Sequence, residues 1–284
     1  MCEFCTEHGE GKKWYLQMKN YSEELLHVEL TSHQKEIVKA ENRLEWNIRF
    51  FGSFVMPAIT GVSDQQEKQN VVSDVEKPSD NEIIQASKID HFGQVLPIED
   101  VEKVIDMVNS ITRMPCGCRF KTIGKTDKRY CFGLGIDKWG ILGKFPDSAS
   151  SLEVLDKQET KKIIRKYDEE GLIHSIWTGV TPYIIGICNC DHDCLAYRGY
   201  IENDGLPIFF KAEYICEVDW ELCTGCKSCM SQCQFGAIFY SSTLSKVYIN
   251  PKKCFGCGLC RAACPNEAIR ILSRQKNPET ANIW

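Results

Sequence analysis

Apolar residues recur at helical spacing between positions 96 and 111, in the stretch "LPIEDVEKVIDMVNSI". The positions that would share one face lie three or four residues apart: Ile98, Val101, Val104, Ile105 and Val108. Pro97 precedes the first turn, and Glu99 and Asp100 lie within it, where acidic side chains stabilise the N-terminal end of a helix. The pattern predicts a helix that leads directly into "MPCGCR" at 114–119.

A second helix is predicted at about 158–170, where Ile163, Ile164 and Tyr167 share a face and Gly171 follows at a position that favours a left-handed backbone. The apolar runs "LIHSIW" and "TPYIIGI" that come next are typical of strands. The segments "MPCGCR" and "ICNCDHDC" each begin where a regular element ends. Because ligands are commonly presented on loops at such places, both segments are candidates for binding.

The first part of the chain has a weaker pattern. Residues 12–48 are rich in Lys, Glu, Leu and aromatic residues at loosely helical spacing, and one or two long helices are expected there. The apolar stretch at 50–62 is too short to span a bilayer and is interrupted by Gly52 and Pro57. Residues 63–82 are polar and poor in aromatic residues, which predicts a linker.

The C-terminal part contains an internal repeat. "YICEVDWELCTGCKSCMSQCQFGAIFY" is echoed by "VYINPKKCFGCGLCRAACPNEAIRI", and each unit reads as strand, cysteine loop, short helix and strand. The predicted fold class is α+β. The expected divisions are a helical region at 1–62, a linker at 63–82, a mixed α/β cysteine-rich middle domain at 83–212, the repeat domain at 213–273 and a tail at 274–284.

Each unit of the repeat contains a ladder of four cysteines at intervals of three, three and four residues. The ladders are Cys223, Cys226, Cys229 and Cys233, and Cys254, Cys257, Cys260 and Cys264. A tight loop with two residues between thiolates supplies three ligands to one iron-sulfur cluster, and the fourth ligand comes from elsewhere. Zinc also uses such pairs, but its sites usually combine two well-separated pairs. The crowding therefore favours iron-sulfur clusters over zinc.

This part of the chain resembles the bacterial-type two-[4Fe-4S] ferredoxins, which implies a ferredoxin-like ββ/αα repeat domain whose last ladder cysteines cross between clusters. The implied ligands are Cys223, Cys226, Cys229 and Cys264 for cluster 1, and Cys254, Cys257, Cys260 and Cys233 for cluster 2. Gly225, Gly256 and Gly258 fit the need for close approach of the backbone to the clusters. Gln234 stands where the family usually has proline, which alters the loop exit but removes no ligand.

Six further cysteines lie in the middle domain: Cys116, Cys118, Cys131, Cys188, Cys190 and Cys194. So many thiols in a few short segments are hard to explain as core residues, and they predict a further metal centre or cluster. Cys216 stands apart from both ladders and is expected to be a small buried core residue.

From about 110 to 273 the chain also resembles a family of uncharacterised multi-cluster iron-sulfur proteins of anaerobes. The shared motifs appear here as "PCGCR", "DEEGLIH", "ICNCDHDC" and "CTGCKSC". The resemblance implies electron transfer in an anaerobe but no particular substrate. Asp191 and Asp193 occupy positions that are often cysteine in that family, which leaves the number of middle-domain centres open.

The N-terminal head "CEFCTEH" offers Cys2, Cys5 and His8 as ligands for a metal ion that another residue would complete. The spacing differs from the C-x-x-C-H of covalent haem attachment. Of the remaining histidines, His192 lies inside the "CNCDHDC" loop and is a candidate, whereas His91 and His174 are expected to be structural.

Composition and the absence of certain motifs argue against several classes of function. The chain has 284 residues, 17 cysteines and a net charge of -5, without the basic stripe that nucleic acid binding requires. No P-loop or Rossmann glycine motif is present. No apolar signal core follows Met1, so we expect a cytoplasmic protein with metal-bound thiols rather than disulfides.

The leading interpretation is an iron-sulfur electron-transfer protein or subunit that passes low-potential single electrons between a redox partner and a further centre, without catalytic residues of its own. The partner would be a flavoprotein, a hydrogenase-like unit or a metal- or corrinoid-dependent enzyme, in a hetero-oligomer. One alternative is a reductase whose third cluster binds substrate. Another is a ferredoxin whose middle cysteines hold structural zinc in an interaction domain.

Overall fold

The computed structural model describes residues 3–9, 12–37, 48–61, 91, 93–136, 142–202 and 209–283. The strands are β1 (Gly93–Val95), β2 (Ile111–Met114), β3 (Cys131–Leu134), β4 (Glu153–Leu155), β5 (Ile173–Thr178), β6 (Ile184–Cys190), β7 (Phe209–Phe210), β8 (Tyr214–Val218), β9 (Ile238–Ser241), β10 (Lys246–Ile249) and β11 (Ile269–Ser273). The helices are α1 (Glu3–His8), α2 (Glu23–Leu26), α3 (Ser32–Ile37), α4 (Met56–Thr60), α5 (Ile98–Met107), α6 (Gly117–Ile123), α7 (Lys157–Glu169), α8 (Leu195–Glu202), α9 (Ser228–Gln232) and α10 (Leu259–Ala262).

The middle of the chain is built on a seven-stranded sheet of order β4-β2-β3-β6-β5-β1-β7. Its neighbouring strands are antiparallel except for β1 and β7, which are parallel. Mixed helix and sheet content agrees with the predicted α+β class. Because alternate residues of a strand point to opposite faces, the register of β3, β6 and β5 decides which side chains reach the core.

One face of the sheet packs against α5 and α7. Phe132, Ile187 and Ile176 are cross-strand neighbours on this face, and all three are buried. The opposite face carries Cys131 and Cys188, which are also cross-strand neighbours. The sheet therefore separates an aliphatic and aromatic core from a face that presents thiols.

Both predicted helices of the middle domain are confirmed. α5 begins after Pro97, whose extended backbone precedes the first turn. α7 is capped by the Asp156 carboxylate, which accepts a hydrogen bond from the Glu159 amide at 2.8 Å. Gly171 follows α7 with φ of 82°, the left-handed conformation expected at that position. The strands expected in "LIHSIW" and "TPYIIGI" are β5 and β6. The expectation that "ICNCDHDC" begins as a loop is wrong, because β6 continues through Cys190 and therefore contains Cys188 and Cys190.

The expected long helix of the N-terminal region is wrong over residues 12–37, where the structure has short helical segments instead. The reason is tertiary: Trp14, Tyr15 and Tyr21 are fully buried in the core beneath α5. Tyr21 donates its hydroxyl hydrogen to the Tyr15 carbonyl at 2.6 Å, and Asn20 donates to the Trp14 carbonyl at 2.7 Å. These bonds fix turns that a continuous helix would not allow.

The described part of the apolar stretch, 50–61, forms a π-helical turn at Phe51–Val55 that continues into α4. α4 ends at Gly61, whose φ is 70°. Among the described residues, no helix is both long and apolar enough to cross a membrane. The predicted linker at 63–82 lies outside the described residues.

The C-terminal repeat folds into two antiparallel pairs, β8 with β11 and β9 with β10, with α9 and α10 after the cysteine loops. It packs directly on the middle domain. Arg261 of α10 makes two hydrogen bonds with the Glu99 carboxylate of α5, at 2.6 and 2.9 Å. Tyr214 of β8 donates to the buried Asp100 carboxylate at 3.0 Å.

Candidate metal centres

The first cluster site is a small cavity in the C-terminal domain. Four thiols line it: Cys223, Cys226, Cys229 and Cys264. The fourth comes from the other ladder, as the ferredoxin resemblance implies. Cys226 is exposed, so this site lies at the protein surface.

The second cluster site is another small cavity in the same domain. It is lined by the complementary thiols Cys233, Cys254, Cys257 and Cys260. A fifth thiol lines it too: Cys216 of β8, whose amide donates to Cys254 Sγ at 3.4 Å. Cys216 is buried, as expected, but it lies beside this site rather than in a separate apolar core.

Glycines and backbone amides shape the loops at both cluster sites. Gly225 and Gly256 occupy equivalent ladder positions with φ of 69° and 72°, and a Cβ on either would lie 2.1 Å from a backbone oxygen. The amides of Ala237 and Ala268 point at ladder sulfurs, Cys233 Sγ at 3.2 Å and Cys264 Sγ at 3.3 Å. Such N–H donors stabilise the negative charge of cluster-bound thiolates.

A buried arginine links three backbone segments beside the second cluster site. Arg274 is 2% exposed and lies just after β11. Its guanidinium donates to three backbone carbonyls: Ala212 at 2.8 Å, Tyr214 at 2.9 Å and Cys254 at 2.7 Å. The sequence motifs gave no signal for this residue, because its partners lie on three separate segments.

The third candidate, the six-thiol site, assembles on the thiol face of the large sheet. Cys131 of β3 faces Cys188 of β6, and Cys190 follows on the same face two residues later. Cys116 and Cys118 come from the start of α6, which follows β2. Cys194 completes the set just before α8.

The six sulfurs form a continuous series of contacts. Cys116 Sγ lies 3.5 Å from Cys131 Sγ, and Cys131 Sγ lies 3.8 Å from Cys188 Sγ. Cys190 Sγ is 3.2 Å from Cys194 Sγ. Hydrogen bonds link Cys188 with Cys190 and Cys118 with Cys194. The structure thus brings together all the thiols that the sequence had distributed over three segments.

A buried cation accompanies the six-thiol site. Arg119 is 2% exposed, lies 2.9 Å from the Asp191 carboxylate and donates to the Asn189 carbonyl. Its Nη1 is 3.5 Å from Cys116 Sγ. Burial opposes its charge, but the charges of Cys116, Cys190 and Asp191 outweigh burial and raise the pKa of Arg119. A positive charge here would offset the negative charge of thiolates that bind a metal ion or cluster.

Protonation of these thiols depends on their position. Burial raises the pKa of the Cys116 thiol. The pKa of Cys194 is lowered, because Cys118 and Cys190 donate hydrogen bonds to its sulfur. Thiolates are the metal-binding form, so loading of this site would release protons.

The six-thiol site is in packed contact with the second cluster site. Cys190, Cys194 and Cys257 belong to one hydrophobic cluster that also contains Tyr197 and Leu259. Within it, the rings of Phe235 and Phe255 stack with centroids 3.8 Å apart. These rings follow ladder residues Cys233 and Cys254, whereas Tyr197 lies one helical turn after Cys194.

Gln234, which departs from the ferredoxin pattern, lies at this contact. Its side chain donates to the Gly171 carbonyl of the middle domain at 2.6 Å, and its carbonyl accepts the Tyr197 hydroxyl. A proline has no side-chain donor for Gly171. Glutamine at this position therefore makes a contact between the ferredoxin domain and the middle domain.

The N-terminal candidates are only partly brought together. Cys5 Sγ lies 3.8 Å from Nδ1 of the buried His91, and His8 packs on the Phe4 ring. Cys2 lies outside the described residues. Across the described residues, no group of three or more His, Cys, Asp or Glu side chains is placed to hold a single metal ion.

The middle-domain histidines differ. His174 is buried and bonds Asn189 at 2.6 Å and Asp168 at 3.3 Å, as expected for a structural residue. His192 is exposed on the loop beside the six-thiol site.

Comparison with known proteins identifies the C-terminal domain. Residues 222–268 match the family of 4Fe-4S dicluster domains. The chain is 41% identical to the archaeal-type glutamate synthase [NADPH] of Thermotoga maritima over 59 residues, which is 21% of this chain and 12% of that protein. It is 36% identical over 104 residues to indolepyruvate oxidoreductase subunit IorA of Pyrococcus horikoshii, 36% of this chain and 15% of that protein.

A third relative belongs to the ion-translocating oxidoreductase complex of Methanosarcina acetivorans. The chain is 42% identical to one protein of that complex over 57 residues, which is 20% of each chain. The chain thus spans 12% to 20% of the length of these relatives. Residues 222–268 form an iron-sulfur ferredoxin domain, as the ladders predicted, and its function is electron transfer.

Proposed function

We propose that the chain carries low-potential single electrons between an external redox protein and the six-thiol site. The observation that carries this proposal is the packed contact of Cys194, Tyr197, Phe235 and Phe255, which joins the six-thiol site to the ferredoxin domain. Bound [4Fe-4S] clusters would supply one-electron redox chemistry at each site. The chain positions the thiols, donates N–H groups to their sulfurs and excludes water from the contact.

The proposed ligands in the ferredoxin domain are the two sets that the cavities group together. These are Cys223, Cys226, Cys229 and Cys264, and Cys233, Cys254, Cys257 and Cys260. For a third cluster, we propose ligands from the five thiols that line one cavity: Cys118, Cys131, Cys188, Cys190 and Cys194. Cys116 is not part of that cavity wall, and its sulfur accepts a hydrogen bond from the Tyr130 amide at 2.9 Å.

The proposed partner is another redox protein in a hetero-oligomer. Two relatives support this, because their names place them in an indolepyruvate oxidoreductase and in an ion-translocating oxidoreductase complex, each as one of its subunits. The exposed position of Cys226 suits exchange of electrons at the first cluster site. A flavoprotein, a hydrogenase-like unit and a corrinoid-dependent enzyme all fit this chemistry, and a cytoplasmic location stays a prediction.

Structural zinc in the middle domain stays the alternative to a cluster, although the described residues place no group of three or more His, Cys, Asp or Glu side chains around a single metal ion. The Sγ separations of 3.5 and 3.8 Å from Cys131 are close to the edge of a tetrahedral zinc-thiolate site, about 3.8 Å for Zn–S bonds of about 2.3 Å. The size of the cavity and the surplus of thiols over four favour a cluster instead. The two candidates differ in metal content.

The test is EPR spectroscopy of the anaerobically reduced protein, with two variants that each replace one buried thiol. Cys188→Ser removes the thiol that touches both Cys131 and Cys190, and should abolish one cluster signal and about four irons per chain. Cys5→Ser is the control, because it replaces a buried thiol that lines none of the three sites, and it should keep every signal. If Cys188→Ser retained all iron and signals, the proposed third cluster would be wrong.

A further inference from the structure

The six-thiol site opens into a cavity that is much larger than either cluster site of the ferredoxin domain. The space that water-sized molecules can enter at those two sites is about 10 and 20 Å³. In this cavity, the part that is wide enough for water-sized molecules is about 320 Å³, which falls in the range of small-molecule sites.

The remaining wall of the cavity is apolar and rich in rings. Phe54 comes from the π-helical turn, where it stacks on Phe50 with centroids 5.3 Å apart. Trp177 and Leu195 line other sides. Aromatic walls of this kind favour ring-shaped, apolar molecules over flexible polar ones.

The scarcity of charged side chains on the cavity wall favours an uncharged ligand. Among the described residues that line the cavity, Arg119 is the only one with an ordinarily charged side chain. Its guanidinium is already engaged by Asp191 and by the Asn189 carbonyl. Lys121 places its ammonium 3.8 Å from the centroid of the Phe54 ring, at one edge of the wall. Over the rest of the wall a charged ligand would lose its hydration without gaining a counter-ion, which is costly in an apolar pocket.

We propose that this cavity binds a small uncharged aromatic molecule, held between Phe54 and Trp177 and resting against the thiols. The inference rests on the proposed function only for the presence of a cluster beside the ligand. Binding itself depends on the shape and apolar character of the wall, so it is measured separately from iron content.

The experiment is isothermal titration calorimetry of the full-length, anaerobically purified protein with 2-naphthol. The matched probe is naphthalene-2-sulfonate, which has the same ring system but a fixed negative charge. Leu195→Trp places a large side chain in the cavity from a position that is 42% exposed, and Phe54→Ala removes one ring of the wall. Val154→Trp is the control, because Val154 is exposed and is not part of the cavity wall.

We expect one molecule of 2-naphthol per chain, with affinity at least tenfold weaker for the sulfonate, for Leu195→Trp and for Phe54→Ala. Val154→Trp should bind like the wild type. No binding by the wild type, or equal binding by all variants, would overturn the inference. So would binding to phosphatidylcholine vesicles that Leu195→Trp abolishes, because the wall would then be a membrane contact.

Iron analysis of the same samples tests the third cluster separately from the aromatic ligand. Naphthol binding with only about eight irons per chain would support the cavity and refute the third cluster. About twelve irons without naphthol binding would refute the ligand and leave the proposed function standing.

Discussion

Replacement of Arg274 by methionine should destabilise the second cluster site selectively. The guanidinium donates to three carbonyls, and it joins β8, the loop before it and the second ladder at one point. Each buried acceptor that loses its donor costs about 1–3 kcal/mol. Removal of the buried charge relieves its desolvation and offsets part of that cost, so the net loss should be about 3–5 kcal/mol.

The matched control is Arg270→Met in the same part of the chain. Arg270 pairs with Glu217 at 3.4 Å, but both side chains are more than half exposed. Such surface pairs contribute about 0–1 kcal/mol. Methionine keeps most of the apolar volume in both variants, so the comparison isolates the buried hydrogen bonds.

The assay is an anaerobic urea titration followed by cluster absorbance, with iron content measured before unfolding. Arg274→Met should lower the free energy of unfolding by about 3–5 kcal/mol and should release about four irons ahead of the rest. A loss as small as that of Arg270→Met would refute the reasoning that Arg274 holds the second ladder. Simultaneous loss of all iron would refute the selectivity.

Three further predictions concern other parts of the molecule. Cys226→Ala should remove one ferredoxin cluster, seen as a loss of about four irons, and loss of every cluster would show that the sites are not independent. Gly225→Ala should empty the first cluster site, because the new Cβ would lie 2.1 Å from the Ser245 carbonyl oxygen. Its control, Gly236→Ala, has open space around it and should keep full iron content, at a cost of only about 1–2 kcal/mol of backbone strain. Asp100→Asn should be less stable than the wild type at neutral pH, because burial raises the pKa of Asp100 but hydrogen bonds from Lys103 and Tyr15 outweigh it and lower the pKa. That advantage is present above the unfolded pKa of about 3.9 and is lost as pH falls through the lower folded pKa, so urea midpoints of the two proteins should converge below about pH 4, and a constant difference would contradict the assignment.

Local patterns were sufficient for the elements that carry their own signals. α5 and α7 have amphipathic spacing with clear starts, and the ladders place four cysteines within eleven residues, so both could be found without tertiary information. The prediction of long helices over 12–37 was wrong because Trp14 and Tyr21 pack against residues far along the chain, and these contacts override the local preference for helix.

Convergence of the six thiols depends on sheet register, which a single sequence does not display. Cys131 and Cys188 are 57 positions apart and meet only because β3 pairs with β6 in one register. Arg119, Arg274 and Gln234 were missed as functional residues for the same reason, since their partners come from distant segments. The position of Arg119 directly after Cys118 is the one signal for these residues that the sequence offers.

The most direct test of the account is the iron, sulfide and zinc content of the anaerobically purified full-length protein. The account predicts roughly twelve irons and a matching amount of sulfide per chain, without stoichiometric zinc. Roughly eight irons together with about one zinc per chain would contradict it, because the six-thiol site would then be a structural zinc centre.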